Sequence, residues 1–193
     1  MAQAALFAAL TAVGAQIRIP FPLVPLTLQI PFVLLAGLLL GSRTGAASMS
    51  LYLLLGLIGL PVFAGGGGPQ VILDPTFGFL LGYVGAAAAT GRIAETIPSA
   101  NSRTAEIILS VAAAMAGLAV LYGAGLLGLY VNLNWIAGKP VTWIQTLEFG
   151  FFPFIPGDLL KAAASVTLSL LVTSRFRALS ALAGRPRGGT VSR

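Results

Sequence analysis

The sequence predicts an all-α integral membrane protein, a bundle of six transmembrane helices with the N- and C-termini in the cytoplasm. Three observations carry that prediction. Hydrophobic residues make up 57% of the chain and charged residues only 8%, with a mean hydropathy of +0.95. A soluble domain carries about 25% charged residues and needs them for its water-facing surface. Six apolar runs, bounded by Gly, Pro or charged residues, follow one another within 193 residues, which leaves room for one domain. The bases are also asymmetric. Arg43, Arg92 and Arg103 fall in the even-numbered connections and Arg175, Arg177, Arg185, Arg187 and Arg193 in the C-terminal segment, against Arg18 and Lys139 on the other side. Cytoplasmic loops retain positive charge, so this imbalance places both termini inside.

The first run, 2–17, is rich in alanine and lacks the basic start and cleavage pattern of a secretory signal, so it reads as the first span. Ala4, Ala8 and Ala12 form one small-residue stripe at helical spacing, and Ala5 and Ala9 the next. Small faces let helices approach closely in lipid, which suits internal packing or a partner equally. Pro20, Pro22, Pro25 and Pro31 then predict an extended, stiff connection. The second span, 26–40, contains Gln29, which either bonds a neighbouring helix or lines a cavity. A tight turn at 41–45 leads to a third span, 46–60.

The connection 61–75 contains four consecutive glycines, Gly65 to Gly68, among apolar residues rather than the Ser, Lys or Glu of a solvated linker. Apolar irregular backbone predicts a loop folded into the protein, offering bare N–H and C=O groups to a cavity. No Lys-Ser/Thr follows the glycines, so this is not a phosphate-binding loop. The fourth span, 76–92, carries Gly78, Gly82 and Gly85 as a close-packing face. A polar connection with Glu95, Pro98 and Asn101 precedes the fifth span, 105–129. In the loop 130–148, Tyr130, Trp135 and Trp143 suit the membrane–water boundary or stacking on a ligand.

The last span, 156–173, opens after a break marked by Pro153, Pro156 and Gly157, and it begins with Asp158 and Lys161 one helical turn apart. Charges inside a bilayer must pair, reach water or hold a ligand. Spacing alone leaves both a closed salt bridge and a ligand site open. With the termini inside, this pair, the glycine loop, the proline-rich connection and the aromatic loop all meet at the outer face. They describe an outward-facing pocket for a small, partly apolar ligand.

Several function classes fall away on composition. The chain has no Cys and no His, which removes thiol chemistry, imidazole bases and His-ligated metal. Its carboxylates, Asp74, Glu95, Glu106, Glu148 and Asp158, are too scattered to read as a metal box, and too few groups remain for acid–base catalysis. The net charge of +6 lies mainly in short connections and the tail, as for loops facing anionic lipid, not in a nucleic-acid patch. The expectation is a binding protein, not an enzyme, with no metal and no cofactor.

Four ordered motifs carry a family resemblance: 22–29 (PLVPLTLQ) with 35–41 (LAGLLLG), 57–66 (LIGLPVFAGG), 74–79 (DPTFGF) and 155–162 (IPGDLLKA). Over about 4–177 the chain resembles the BioY family of biotin transporters, substrate-binding S components of energy-coupling factor (ECF) transporters in the bacterial cytoplasmic membrane. The resemblance implies that Asp158 and Lys161 hold the biotin ureido group, whose two N–H donors and one acceptor suit a carboxylate and an ammonium. It places Gly66, Gly67 and Gly68 near the ligand tail, and adds Thr76 and Gly78 of a Pro-Thr-x-Gly element and Gln29 at a recurring polar position. Some relatives carry Asn in the glycine run where this chain has Gly67, so the contacts to the biotin carboxylate are not carried across.

The same resemblance implies that Ala5 and Ala9 dock on a transmembrane coupling protein of the EcfT/BioN type, with separate ABC ATPases of the EcfA/BioM type. Residues 1–177 are then the six-helix binding domain and 178–193 a flexible basic cytoplasmic tail. An S component for another vitamin and a solitary secondary transporter are the alternatives.

Overall fold

The computed structural model describes residues 1–20, 23–97 and 102–183, with side chains to residue 176. Pro22, Pro98, Asn101, Arg185, Arg187 and Arg193 lie outside the described residues, as does the side chain of Arg177. The fold is helix-rich: α1 (Ala2–Gln16), α2 (Gln29–Leu57), α3 (Phe77–Ala94), α4 (Arg103–Val131), α5 (Trp143–Gly150) and α6 (Ile155–Ala183). Four helices, α2, α3, α4 and α6, are long and apolar enough to cross a membrane, and α1 is apolar but shorter, at 15 residues. α6 continues past the predicted end of its span and past residue 178.

Local chemistry explains where these helices start. Ser102 caps α4 by accepting from Ala105 N at 3.1 Å, and Arg103 pairs with Glu106 at 2.9 Å within the first turn. Thr142 and Gln145 form a reciprocal capping box at α5. Pro156 falls in the first turn of α6, where a missing N–H costs nothing, and Asp158 follows it near the positive end of the helix.

The proline-rich connection is not wholly irregular. Two short strands, β1 (Arg18–Ile19) and β2 (Leu26–Thr27), pair antiparallel, with Arg18 opposite Thr27 and Ile19 opposite Leu26. This hairpin closes one end of the bundle, tied to α1 by Leu28 N donating to Gly14 O at 3.1 Å.

α2 is not one straight rod. In a continuous helix Gln29 and Tyr52 would stand about 35 Å apart at 1.5 Å per residue. Instead Gln29 Nε2 donates to Tyr52 Oη. The chain reverses at Gly41, whose φ of 79° and ψ of −179° lie outside the helical region and favour glycine. The two arms, 29–40 and 42–57, pack so closely that a Cβ on Gly45 would sit 3.1 Å from Ala36 O. The helix thus resumes at Ser42, and the tight turn expected over 41–45 is compressed into one glycine.

α3 packs between α2 and α4, while α1 lies on α2 and α6 closes against α2 and α4. The α3–α4 contact is made by small residues: a Cβ on Gly78 would meet Gly128 Cα at 2.7 Å. Tyr52, Leu34, Met49, Leu121 and Leu129 are the largest fully buried apolar side chains of the interior.

Candidate binding site

A cavity of about 160 Å³ opens at the end of the bundle where α2, α3 and α6 begin and α4 ends. That is several times the roughly 30 Å³ share of one water, enough for part of a metabolite-sized ligand. Asp158 and Lys161 stand in its lining, with Gln29, Thr27, Thr76, Tyr83 and Tyr122.

Asp158 is 1% exposed, and both of its oxygens are engaged. Oδ1 accepts from Lys161 Nζ at 2.8 Å, while Oδ2 accepts from the hydroxyl of Tyr122 on α4. A carboxylate has about four acceptor positions and an ammonium three donors. The contacts to Lys161 and Tyr122 therefore leave two acceptor positions on Asp158 and two donors on Lys161. The pair is a salt bridge with spare capacity facing a cavity, which is what a ligand with adjacent donors and an acceptor requires.

A second polar cluster is centred on Gln29. Its Oε1 accepts from Thr27 Oγ1 at 2.9 Å and from Tyr83 Oη at 3.1 Å, while Nε2 donates to Tyr52 Oη. Tyr52 Oη donates in turn to Val62 O at 3.1 Å, fixing the start of the glycine-rich loop. One network thus joins β2, both arms of α2, α3 and the loop. Phe79, Leu80, Leu121 and Phe154 supply apolar and aromatic walls.

The glycine-rich loop is pinned along its length. Phe63 is 3% exposed and exchanges two backbone hydrogen bonds with Gly66, at 2.9 and 3.0 Å. Gly68 N donates to Gly56 O at 2.8 Å, and Gln70 Nε2 to Gly67 O at 2.6 Å. A Cβ on Gly67 would lie 2.1 Å from Leu60 O, so the loop's path requires glycine there. A 3₁₀ turn follows (Pro69–Leu73), held by Asn132 Nδ2 donating to Leu73 O at 2.8 Å. Asn132 opens a π turn at the end of α4 (Asn132–Ile136), and its Oδ1 is buried without a hydrogen-bond partner. Asp74 then accepts from Thr76 N at 2.8 Å and Thr76 Oγ1 at 2.6 Å, starting α3.

Asp158, Lys161, Gln29 and Thr76 therefore meet in one cavity. Of the loop, Ala64 and Gly65 line it, while Gly66, Gly67 and Gly68 are not part of its lining and Gly78 lies in the α3–α4 contact. Sequence reasoning did not assign Tyr52, Tyr83, Tyr122, Thr27 or Arg18 to the site. A signal for the tyrosines was present: a phenol inside an apolar span needs a hydrogen-bond partner. Of the loop aromatics, Tyr130 stacks on Trp143 at 4.1 Å with planes 4° apart and meets Trp135 edge-on, and none of the three lines the cavity. On α1, Ala4 and Ala8 are buried, while Ala5 and Ala9 face outward.

The BioY family profile matches residues 1–178. The chain belongs to the BioY family. Similar proteins include the probable biotin transporter BioY of Lysinibacillus sphaericus, 42% identical over 178 residues, covering 92% of this chain and 88% of that protein. The biotin transporter BioY of Thermotoga maritima is 36% identical, covering 87% of this chain and 92% of that protein. That of Rhodobacter capsulatus is 40% identical, covering 83% and 85%. Among solved structures, the S-component for biotin from an ECF-type ABC transporter, a crystal structure at 2.1 Å, is similar in fold with a TM-score of 0.73 and 27% identity. It covers 90% of this chain and 89% of that one.

Proposed function

We propose that this BioY-family chain is the biotin-binding membrane subunit, the S component, of an ECF-type transporter in the bacterial cytoplasmic membrane. It is a transport subunit and not an enzyme. The observation that carries the reading is the Asp158–Lys161–Tyr122 cluster, buried in a cavity yet holding unused acceptors and donors. A cyclic urea complements it: Asp158 takes an N–H, Lys161 donates to the carbonyl, and the apolar walls enclose the fused rings. The glycine-rich loop and Thr76 cover the ligand's tail.

In the bilayer the chain makes six spans: α1, the two arms of α2, α3, α4 and α6. The reversal at Gly41 supports this count, because it folds α2 back on itself so that Gln29 and Tyr52 meet. The bias of Arg43, Arg92, Arg103 and Arg175 against Arg18 and Lys139 supports cytoplasmic termini and an outward-facing cavity. Ala5 and Ala9 form a docking face for a transmembrane coupling protein. Their outward exposure, beside the buried Ala4 and Ala8, supports that assignment. The chain contains no G-x-x-x-x-G-K-S/T motif, so ATP hydrolysis falls to separate ATPase chains.

Titration calorimetry of the purified protein in detergent with biotin, thiamine and riboflavin tests the reading. One-to-one binding of biotin alone is expected. Binding of another vitamin, with none of biotin, would overturn the substrate.

A further inference from the structure

We infer that Arg18 holds the carboxylate at the far end of the ligand, so that the cavity selects an anionic tail as well as a ring. This rests on the biotin reading above and adds to it a contact that ring recognition does not require. Arg18 lines the cavity. In the β1–β2 hairpin it stands opposite Thr27, and cross-strand partners present their side chains on the same face. Thr27 Oγ1 bonds Gln29 in the cavity's own polar network. The hairpin register therefore sets Arg18 next to a member of that network, on a residue that is itself exposed.

Charge bookkeeping singles out the same residue. Among the charged groups lining the cavity, Asp158 and Lys161 close on each other at 2.8 Å, and Asp74 Oδ1 accepts two hydrogen bonds from Thr76. The ion pairs found among the described residues are Arg92–Glu95, Arg103–Glu106 and Lys161–Asp158, which leaves Arg18 as the lining's cation without an acidic partner. Of the glycine-rich loop, the N–H groups of Gly66 and Gly68 are engaged by Phe63 O and Gly56 O, and those of the cavity-lining Ala64 and Gly65 are neutral donors, weaker toward a carboxylate than a guanidinium. A ring anchored at Asp158 directs its aliphatic chain toward the mouth. There a planar guanidinium takes a carboxylate with two parallel N–H bonds.

The test compares biotin with its neutral primary amide on wild-type protein, Arg18→Gln and Arg18→Lys, by titration calorimetry in detergent. Wild type should bind biotin at least about tenfold more tightly than the amide, the size expected of a charge-assisted contact open to water. Arg18→Gln should lose that preference by weakening biotin about tenfold while leaving the amide unchanged, and Arg18→Lys should restore part of it. Equal weakening of both ligands in Arg18→Gln would make the residue structural and overturn the inference. So would a wild type that does not distinguish them, with the biotin reading intact in either case. Binding of neither ligand to folded wild type would overturn that reading itself.

Discussion

Replacing Asp158 by Asn changes charge with almost no change of shape. In the native cavity the two carboxylate oxygens accept from Lys161 and Tyr122. Asparagine offers one oxygen. If that oxygen faces Lys161, the amide N–H meets Tyr122 Oη, which turns its hydroxyl and accepts, so the fold persists. Breaking a buried pair costs about 3–5 kcal/mol when the remaining charge is trapped. The Lys161 side chain is 15% exposed and reaches some water, which puts the stability loss at or below the low end. Binding suffers more directly. A hydrogen bond to a charged group contributes about 1.5–3 kcal/mol, and 1.4 kcal/mol is tenfold in affinity. Biotin should therefore bind Asp158→Asn about 10- to 100-fold more weakly. Calorimetric titration, with thermal unfolding measured in parallel, reads both quantities. A folded variant that binds biotin within about threefold of wild type would refute the reasoning and reduce the pair to a structural salt bridge.

Four further outcomes are expected. Tyr122→Phe leaves Asp158 Oδ2 without its donor, and an unpaired buried acceptor costs about 1–3 kcal/mol. Biotin affinity should fall severalfold or more by titration, whereas unchanged affinity would exclude a positioning role. Ala8 is 2% exposed, so Ala8→Leu should lower thermal stability by about 1–3 kcal/mol through overpacking. Ala5→Leu with Ala9→Leu should leave stability and biotin binding unchanged but impair biotin uptake in cells carrying the coupling subunits; normal uptake would remove the docking assignment. Glu95 is held below the ordinary carboxylate range, first by the Ser42 hydroxyl and then by the Ser42 N–H, with Arg92 and Arg43 adding smaller effects. A lowered folded-state pKa gives stability that is present above about pH 4.5 and lost as pH falls through the lowered value. Melting temperature should drop over that acidic range in wild type and less in Glu95→Gln. Parallel profiles would show that Glu95 does not contribute.

Asp158 and Lys161 were legible because helix geometry fixes i and i+3 on one face, and because charge in an apolar span demands a reason. Gln29 was legible as a strongly polar amide in an apolar span, although the sequence left its partners open. The tyrosines were not. Tyr52, Tyr83 and Tyr122 sit on three different helical segments, and their meeting depends on helix rotation and depth that no local pattern encodes. The reversal of α2 was legible as a turn but not at its true sharpness, since one glycine at positive φ does what a five-residue turn was expected to do. The two-residue hairpin was hidden by prolines that read only as an extended connection. With it went the placement of Arg18 opposite Thr27, which depends on strand register and not on composition. The irregular glycine-rich loop was recognised from its apolar neighbours, but which of its glycines face the cavity is set by the Phe63–Gly66 bridge.

The most direct test of the central claim is a crystal structure of the protein with biotin bound. The account predicts the ureido group within about 3 Å of Asp158 and Lys161, with the rings against Leu121 and Phe154 and the tail pointing to the mouth of the cavity. Biotin bound at the opposite end of the bundle, or reversed with its carboxylate on Lys161, would contradict it.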